Sequence, residues 1–341
     1  MTETTTSQSD RAGWSRRKFL KYTAVSGLAA AGGLFLGKQV GPLSQQAETF
    51  IASAAGYQAD LEQILRTGLE TLSFSPSAIK GKRILIKPNL VEPHAGLEHI
   101  NTHPLLVRAV VALFRSMDAA EVIVAEGAGH RKDSLLVLEE SGFADVLFED
   151  RIPFIDLNTG PVQKTANKGG YTKMKDLFLP LNVLDADVLV SLAKMKTHHW
   201  AGVTLSMKNL FGIMPGCVYG WPKNVLHHQG IQRSILDINT TVRPHLSIVD
   251  GIVGMEGDGP IMGTPVQSNV LVMGNNSAAV DATCARIMGI DPEKIPYLKA
   301  SERRIGPIAH RHIMQRGEEI QAIRKNYQLI PEIPAHRDIR L

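Results

Sequence analysis

Short apolar runs alternate with amphipathic stretches along most of this chain. RILIK (83–87), EVIVAEG (121–127), PFIDL (153–157), DVLVSL (187–192), HLSIVD (245–250) and the run at 268–274 are bounded by turn formers, as buried strands are. Between them, residues 102–117, 133–142, 230–241 and 277–289 carry apolar side chains at helical spacing. Thr102 is expected to cap the first of these, with Pro104 in the first turn, where a missing N–H costs nothing. Residues 48–72 read as a helical linker. Strands alternating with helices predict an α/β fold with a mainly parallel sheet flanked by helices. The arrangement is either one sheet or two α/β lobes with a cleft between them. The corresponding division is a leader and linker (1–54), an N-terminal lobe (55–190) and a C-terminal lobe (191–341).

Composition adds two constraints. The chain has 341 residues, enough to bury a core without disulfides. Its net charge of +4 and pI near 9.0 invite a nucleic-acid partner. Residues 1–44, however, hold six basic and two acidic residues, leaving 31 of each in the neutral remainder, so no nucleic-acid partner is expected. That leader reads as a polar stretch, then SRRKFLK, then a mildly apolar run from Tyr22 to Gly37, which is the layout of an export signal. Cleavage is expected at Ala52-Ser53-Ala54, with Gln45-Gln46-Ala47 as the weaker site. Left uncleaved, the 16-residue run would be a short membrane anchor; after cleavage no span remains. Cys217 and Cys284 make no CxxC pair, so no iron–sulfur cluster or zinc motif is expected, and two buried thiols are preferred over one disulfide.

Polar clusters recur at the predicted carboxyl ends of strands, where ligands gather in parallel sheets. They are KPNL (87–90), with Lys87 and Asn89; EGAGHR (126–131), with His130; KTHH (196–199); and DGIVGMEGDGPIMG (250–263), with Asp250, Glu256, Gly257, Asp258 and Gly259. The Gly-Ala-Gly turn would let backbone N–H groups approach an anion, or it is a tight turn with a surface histidine. No GxGxxG or P-loop supports nucleotide binding. The acidic glycine loop would converge on a cation or polar substrate, or its acids are solvated; its spacing is not that of an EF-hand. The densest chemistry lies in KTHHWAGVTLSMKN (196–209). A helix over 202–211 would put Val203, Met207 and Leu210 on one face and Lys208 on another, with Thr204 one turn back. A lysine kept from water becomes a nucleophile or an attachment point, and neutral imidazoles from His198, His199 and His227 suit transition metals. Any one of these residues alone would be read as a core histidine or a snorkelling lysine; together they favour a site.

Two resemblances follow from these motifs. KPNLV, NTHPLLVRAV, LVSLAKMKTHHWAGVTLSMKNLFG, LSIVDGIVGMEGDGPIMGTP and SAAVDATCARIMGID resemble the Domain of Unknown Function 362 family over about residues 80 to 310. SRRKFLK resembles a twin-arginine signal, which implies export of the folded chain by the twin-arginine translocase to the periplasm or another extracytoplasmic space. More distantly, VIVAEGAGHR, HHWAGVTLSMK, Pro215-Gly216 and His227 resemble the nickel-pincer lactate racemases. That similarity implies His130 and His198 as acid/base residues, Lys208 as the tether of a nickel-pincer-like or other transition-metal cofactor, and His227 as metal ligand. Here Val-Thr-Leu-Ser-Met stands where those racemases have a glycine-rich run. The resulting expectation is a cofactor- or metal-dependent enzyme, racemase-, isomerase- or oxidoreductase-like, acting on a small carboxylate-bearing substrate. Lys87, Asn89, Gly257 and Gly259 join Lys208 in binding cofactor and substrate, and His199, Asp250 and Glu256 join His227 around the metal. The alternatives are a non-catalytic metal- or anion-binding protein and a partner subunit of an exported redox complex.

Overall fold

A computed structural model describes residues 46–129 and 133–341. The twin-arginine stretch, the apolar run after it and His130 lie outside the described residues. Residues 46–341 belong to one compact unit. Its main strands are β1 (Ala47–Ser53), β2 (Arg83–Pro88), β3 (Glu121–Glu126), β4 (Phe154–Asp156), β5 (Val162–Ala166), β6 (Asp176–Pro180), β7 (Val188–His198), β8 (Gly202–Thr204), β9 (Leu246–Glu256), β10 (Thr264–Gly274) and β11 (Ile313–Gly317). The principal helices are α1 (Leu61–Thr71), α2 (Pro104–Ser116), α3 (Ser134–Glu140), α4 (Phe143–Glu149), α5 (Ser206–Asn209), α6 (Asn224–His228), α7 (Ile231–Thr241) and α8 (Ser277–Ile287).

One large sheet runs β11-β1-β10-β9-β7-β2-β3-β4, with β8 folded back on the end of β7; β5 and β6 form a separate hairpin. The run from β9 through β7, β2 and β3 to β4 is parallel, and β10 enters antiparallel between β9 and β1. Alternation along the strands gives the sheet two apolar faces. Ile84, Ile86, Val190 and Leu192 pack under α1 to α4, whereas Leu85, Leu189, Val249 and Val272 pack under α7 and α8. The α/β architecture with helices on both faces is as expected.

Several expectations are corrected. The boundary between residues 190 and 191 falls inside β7, which bonds to β2 on one side and β9 on the other, so both segments share one sheet. The helical linker is instead a strand followed by α1: β1 sits between β10 and β11, and ladder bonding on both sides overrides the helical leaning of its Ala and Glu. The expected cleavage motif Ala52-Ser53-Ala54 is part of this segment, with Ala52 and Ser53 paired to Leu271 and Val270. Helix α2 is capped by the His103 imidazole, which accepts the Leu105 N–H, while the Thr102 hydroxyl ties Asn89 to β7. Residues 202–211 do not form one helix: β8 is followed by the single turn α5 and a 3-10 turn. Cys284 is buried as expected, but Cys217 is exposed; both are free.

Candidate active site

Strand β7 does not stop at Leu192. It continues through Lys194, Lys196 and His198, all buried; the two lysines meet partners far away in sequence, and the histidine meets the turn just after it. Lys194 donates to Asp250 Oδ2 at 3.0 Å and to the Tyr57 hydroxyl at 2.8 Å. Lys196 donates to the backbone oxygens of Ile100 and Pro260. The chain then turns at Trp200 and returns as β8, so the KTHHWAG segment forms one lip of a cavity of about 320 Å3. His198, His199, Lys208 and His227 all line that cavity, as do Lys87 and Asn89. Gly129 also lines it. A larger hollow of about 630 Å3 lies across His199 and Trp200 but receives none of Lys87, Lys208 or Lys223.

Lys208 is held by architecture distant in sequence. The Asp281 carboxylate on α8 accepts the N–H groups of Ser206 and Met207 at 2.8 and 3.0 Å, pinning the turn that carries Lys208 and Asn209. Among the described residues the Lys208 ammonium has no hydrogen-bond or ion-pair partner. It lies over the Phe211 ring, 4.5 Å from the centroid. Burial, and then the neighbouring Lys87 charge, lower its pKa to about 8.

Lys87 differs, because its ammonium is fully engaged. It donates to Glu126 Oε2 at 2.5 Å, to Pro88 O at 2.7 Å and to Asn209 Oδ1 at 2.9 Å. Glu126 is equally saturated, accepting also from the Leu90 and Gly127 N–H groups. Asn209 bridges Lys87 to the Ser191 hydroxyl, locking the α5 turn to β2 and β7. The pair is a closed unit in the floor of the cavity.

The imidazoles differ in tautomer. His198 Nδ1 accepts from the Trp200 and Ala201 N–H groups at 3.0 and 3.2 Å, so its proton sits on Nε2. Burial, then the nearby Lys208 charge, hold it well below the usual histidine range and therefore neutral. His227 Nδ1 lies 3.1 Å from the Lys223 carbonyl, which only accepts, so Nδ1 carries a proton. His199 Nδ1 lies 3.4 Å from Asp258 Oδ1. Ring contacts run from His198 to His199, Trp200, His227 and Phe211, with centroids 4.7 to 5.3 Å apart.

The other proposed ligands lie elsewhere. Asp250 is a fully buried residue of β9, committed to Lys194, Tyr57 and the His103 N–H. Glu256, at the end of β9, accepts from Gln328 N. Gly257 and Gly259 turn their carbonyls toward Thr197 Oγ1 and His199 N, supporting the cavity lip without lining the cavity. Among the described residues no three His, Cys, Asp or Glu side chains gather as a metal-binding set, so His199, His227, Asp250 and Glu256 do not form one. Conversely, Glu126, Lys223, Asn209 and Asp281 belong to the site or its support and were not singled out from sequence. The signal they gave was position, since Glu126 opens EGAGHR, Asn209 follows Lys208 and Asp281 lies in SAAVDATC.

A thylakoid-associated protein of Synechocystis sp. is 29% identical over 243 residues, covering 70% of this chain and 73% of its own. Among solved structures, the lactate racemase apoprotein from Thermoanaerobacterium thermosaccharolyticum is 16% identical with a TM-score of 0.41, and a Thermotoga maritima protein is 14% identical with a TM-score of 0.38. The chain spans 57% and 58% of the length of those two structures. The family model for the domain of unknown function DUF362 matches residues 84–286, more than half of the chain, and the chain belongs to that family.

Proposed function

We propose that this cavity is the active site of an enzyme acting on a small carboxylate-bearing molecule, with Lys208 as the point of covalent attachment for an electron-accepting group. The observation that carries the reading is the Lys208 amine itself. It has no partner among the described residues, its proton is held loosely, and it faces a cavity walled by three imidazoles. Structural lysines in the same protein look different, since Lys87 and Lys194 each meet a carboxylate.

The donor set fits a covalently tethered group better than a bare metal ion, because among the described residues no three His, Cys, Asp or Glu side chains gather there, whereas Lys208 and His227 both contact the Phe211 ring. Lys208 would hold the group through its Nζ and His227 through Nε2. When bound, such a group supplies an acceptor for electrons from the carbon next to the substrate carboxylate. The chain's own residues then divide the remaining work. His198, neutral with Nε2–H, donates a hydrogen bond to a substrate oxygen. His199, with Asp258 beside Nδ1, takes a proton on Nε2. Trp200 covers the imidazoles and limits water.

Export in folded form by the twin-arginine translocase, and an extracytoplasmic location, belong to the same proposal and rest on the SRRKFLK leader. The thylakoid-associated relative supports membrane proximity; no helix among the described residues is long and apolar enough to cross a membrane. The test is intact mass and peptide mapping of the protein isolated from its own cells, with elemental analysis alongside. A stoichiometric adduct on Lys208 is expected. Unmodified Lys208 in active protein would sink the reading. Tight anion binding unaffected by Lys208→Ala, without turnover, would favour a non-catalytic binding protein.

A further inference from the structure

Lys223 is the residue that the reading above leaves unexplained. It lines the same cavity, is almost fully buried, and its ammonium donates to Asn158 Oδ1. Asn158 is a neutral acceptor that also takes the Gly216 N–H. Among the described residues no carboxylate contacts Lys223. One acceptor for three ammonium protons is too few for a buried cation, for which unmet hydrogen bonds are costly. Its backbone is unusual too, at φ 70°, ψ 42°, a left-handed conformation that is costly for a residue with a Cβ. A glycine there would remove that cost but would leave the cavity wall without its ammonium.

Among the described residues, the charges around the cavity do not balance. Lys87 is neutralised by Glu126, and Glu126 is the one carboxylate among the cavity-lining residues described. Lys208 and Lys223 both face the cavity without a carboxylate of their own. In a site of about 320 Å3, at the small end of ligand pockets, a bound molecule is the available source of compensating charge. We infer that the ligand is a small dianion, a carboxylate bearing a second acidic group, and that Lys223 is the positioning residue that selects for that second charge. This rests on the proposal that the cavity takes a small carboxylate, and it narrows the substrate class. It also assigns a reason for Lys223 to share its segment with His227: the Lys223 carbonyl holds the His227 imidazole while its ammonium holds the ligand.

The experiment is calorimetric titration of the full-length protein at pH 7 and low salt with succinate, 3-phosphonopropionate and monomethyl succinate. The last has the length of succinate and a single charge. At least one dianion is expected to bind ten times or more tightly than the monoester, and the preferred one identifies the second acidic group as carboxylate or phosphoryl-like. In Lys223→Met that preference should fall to within about twofold while monoester binding persists, which also shows that the variant is folded. Equal binding of all three by the unaltered protein, or a preference that survives Lys223→Met, overturns the inference and leaves the carboxylate reading standing. No binding of any of the three overturns both.

Discussion

The loosely held proton on Lys208 leads to a direct measurement. With a pKa of about 8, about one Lys208 side chain in ten is a free amine at pH 7. An ordinary lysine, at about 10.4, offers roughly one in 2,500. The free-amine advantage is therefore about 250-fold. A less basic nucleophile is also slower, and if amines follow a Brønsted slope of about 0.4–0.5, roughly 20-fold remains. The perturbation is pH, stepped from 6 to 10, and the assay is trace labelling with a small acylating reagent followed by peptide mapping. Lys208 should label about 20 times faster than solvent-facing lysines at pH 7, with a half-point near pH 8. Lys208→Arg should remove that component from the peptide that carries residue 208. A half-point above pH 9.5 would refute the claim that burial beside Lys87 weakens the hold on this proton.

Other expectations follow from the same geometry. Between about pH 8 and 10.4 the unfolded chain holds the Lys208 proton while the folded chain has released it, so stability rises with pH across that window. Lys208→Met should therefore raise the urea midpoint at pH 7 more than at pH 10, and an equal effect at both would contradict it. Glu126→Gln leaves the buried Lys87 ammonium without its counter-charge and should cost about 3–5 kcal/mol by urea denaturation; a loss under 1 kcal/mol would show the pair is not the anchor of the floor. Asp281→Ala frees the Ser206 and Met207 N–H groups, and the fast labelling of Lys208 should fall several-fold while the far-ultraviolet circular dichroism is kept. A chain beginning at Gly56 lacks β1 and should fail to give a cooperative thermal transition, because β10 and β11 lose their shared neighbour.

How much of this was legible in the sequence depends on where each signal resides. RILIK and EVIVAE announce themselves because a strand covered on both faces must be continuously apolar. The second half of β7 does not, since Lys194, Lys196 and His198 break the apolar run; Asp250, Ile100 and Pro260 supply the lysines' partners from afar, and the Trp200 turn supplies the histidine's. Strand β9 is hidden in the same way, as Asp250 and the glycines of DGIVGME read as a loop until Lys194 neutralises the acid. His198, Lys208 and His227 were visible through the spacing of chemically distinctive residues, and they share one cavity. Lys223, Glu126 and Asp281 matter through burial and through what they touch, neither of which a linear pattern records. Asp250 and Glu256 misled for the converse reason: a carboxylate in a glycine-rich stretch looks exposed, and one of these is fully buried.

Strand β1 has one more consequence, for the order in which the molecule is made. Its neighbours, Thr264–Gly274 and Ile313–Gly317, emerge from the ribosome more than 200 residues after it. Until they appear, an apolar strand near the amino terminus must wait unpaired, exposed to other chains. The sheet is therefore completed by one of the first strands made pairing with one of the last. Loss of Ile313–Gly317 would therefore leave β1 with one edge open.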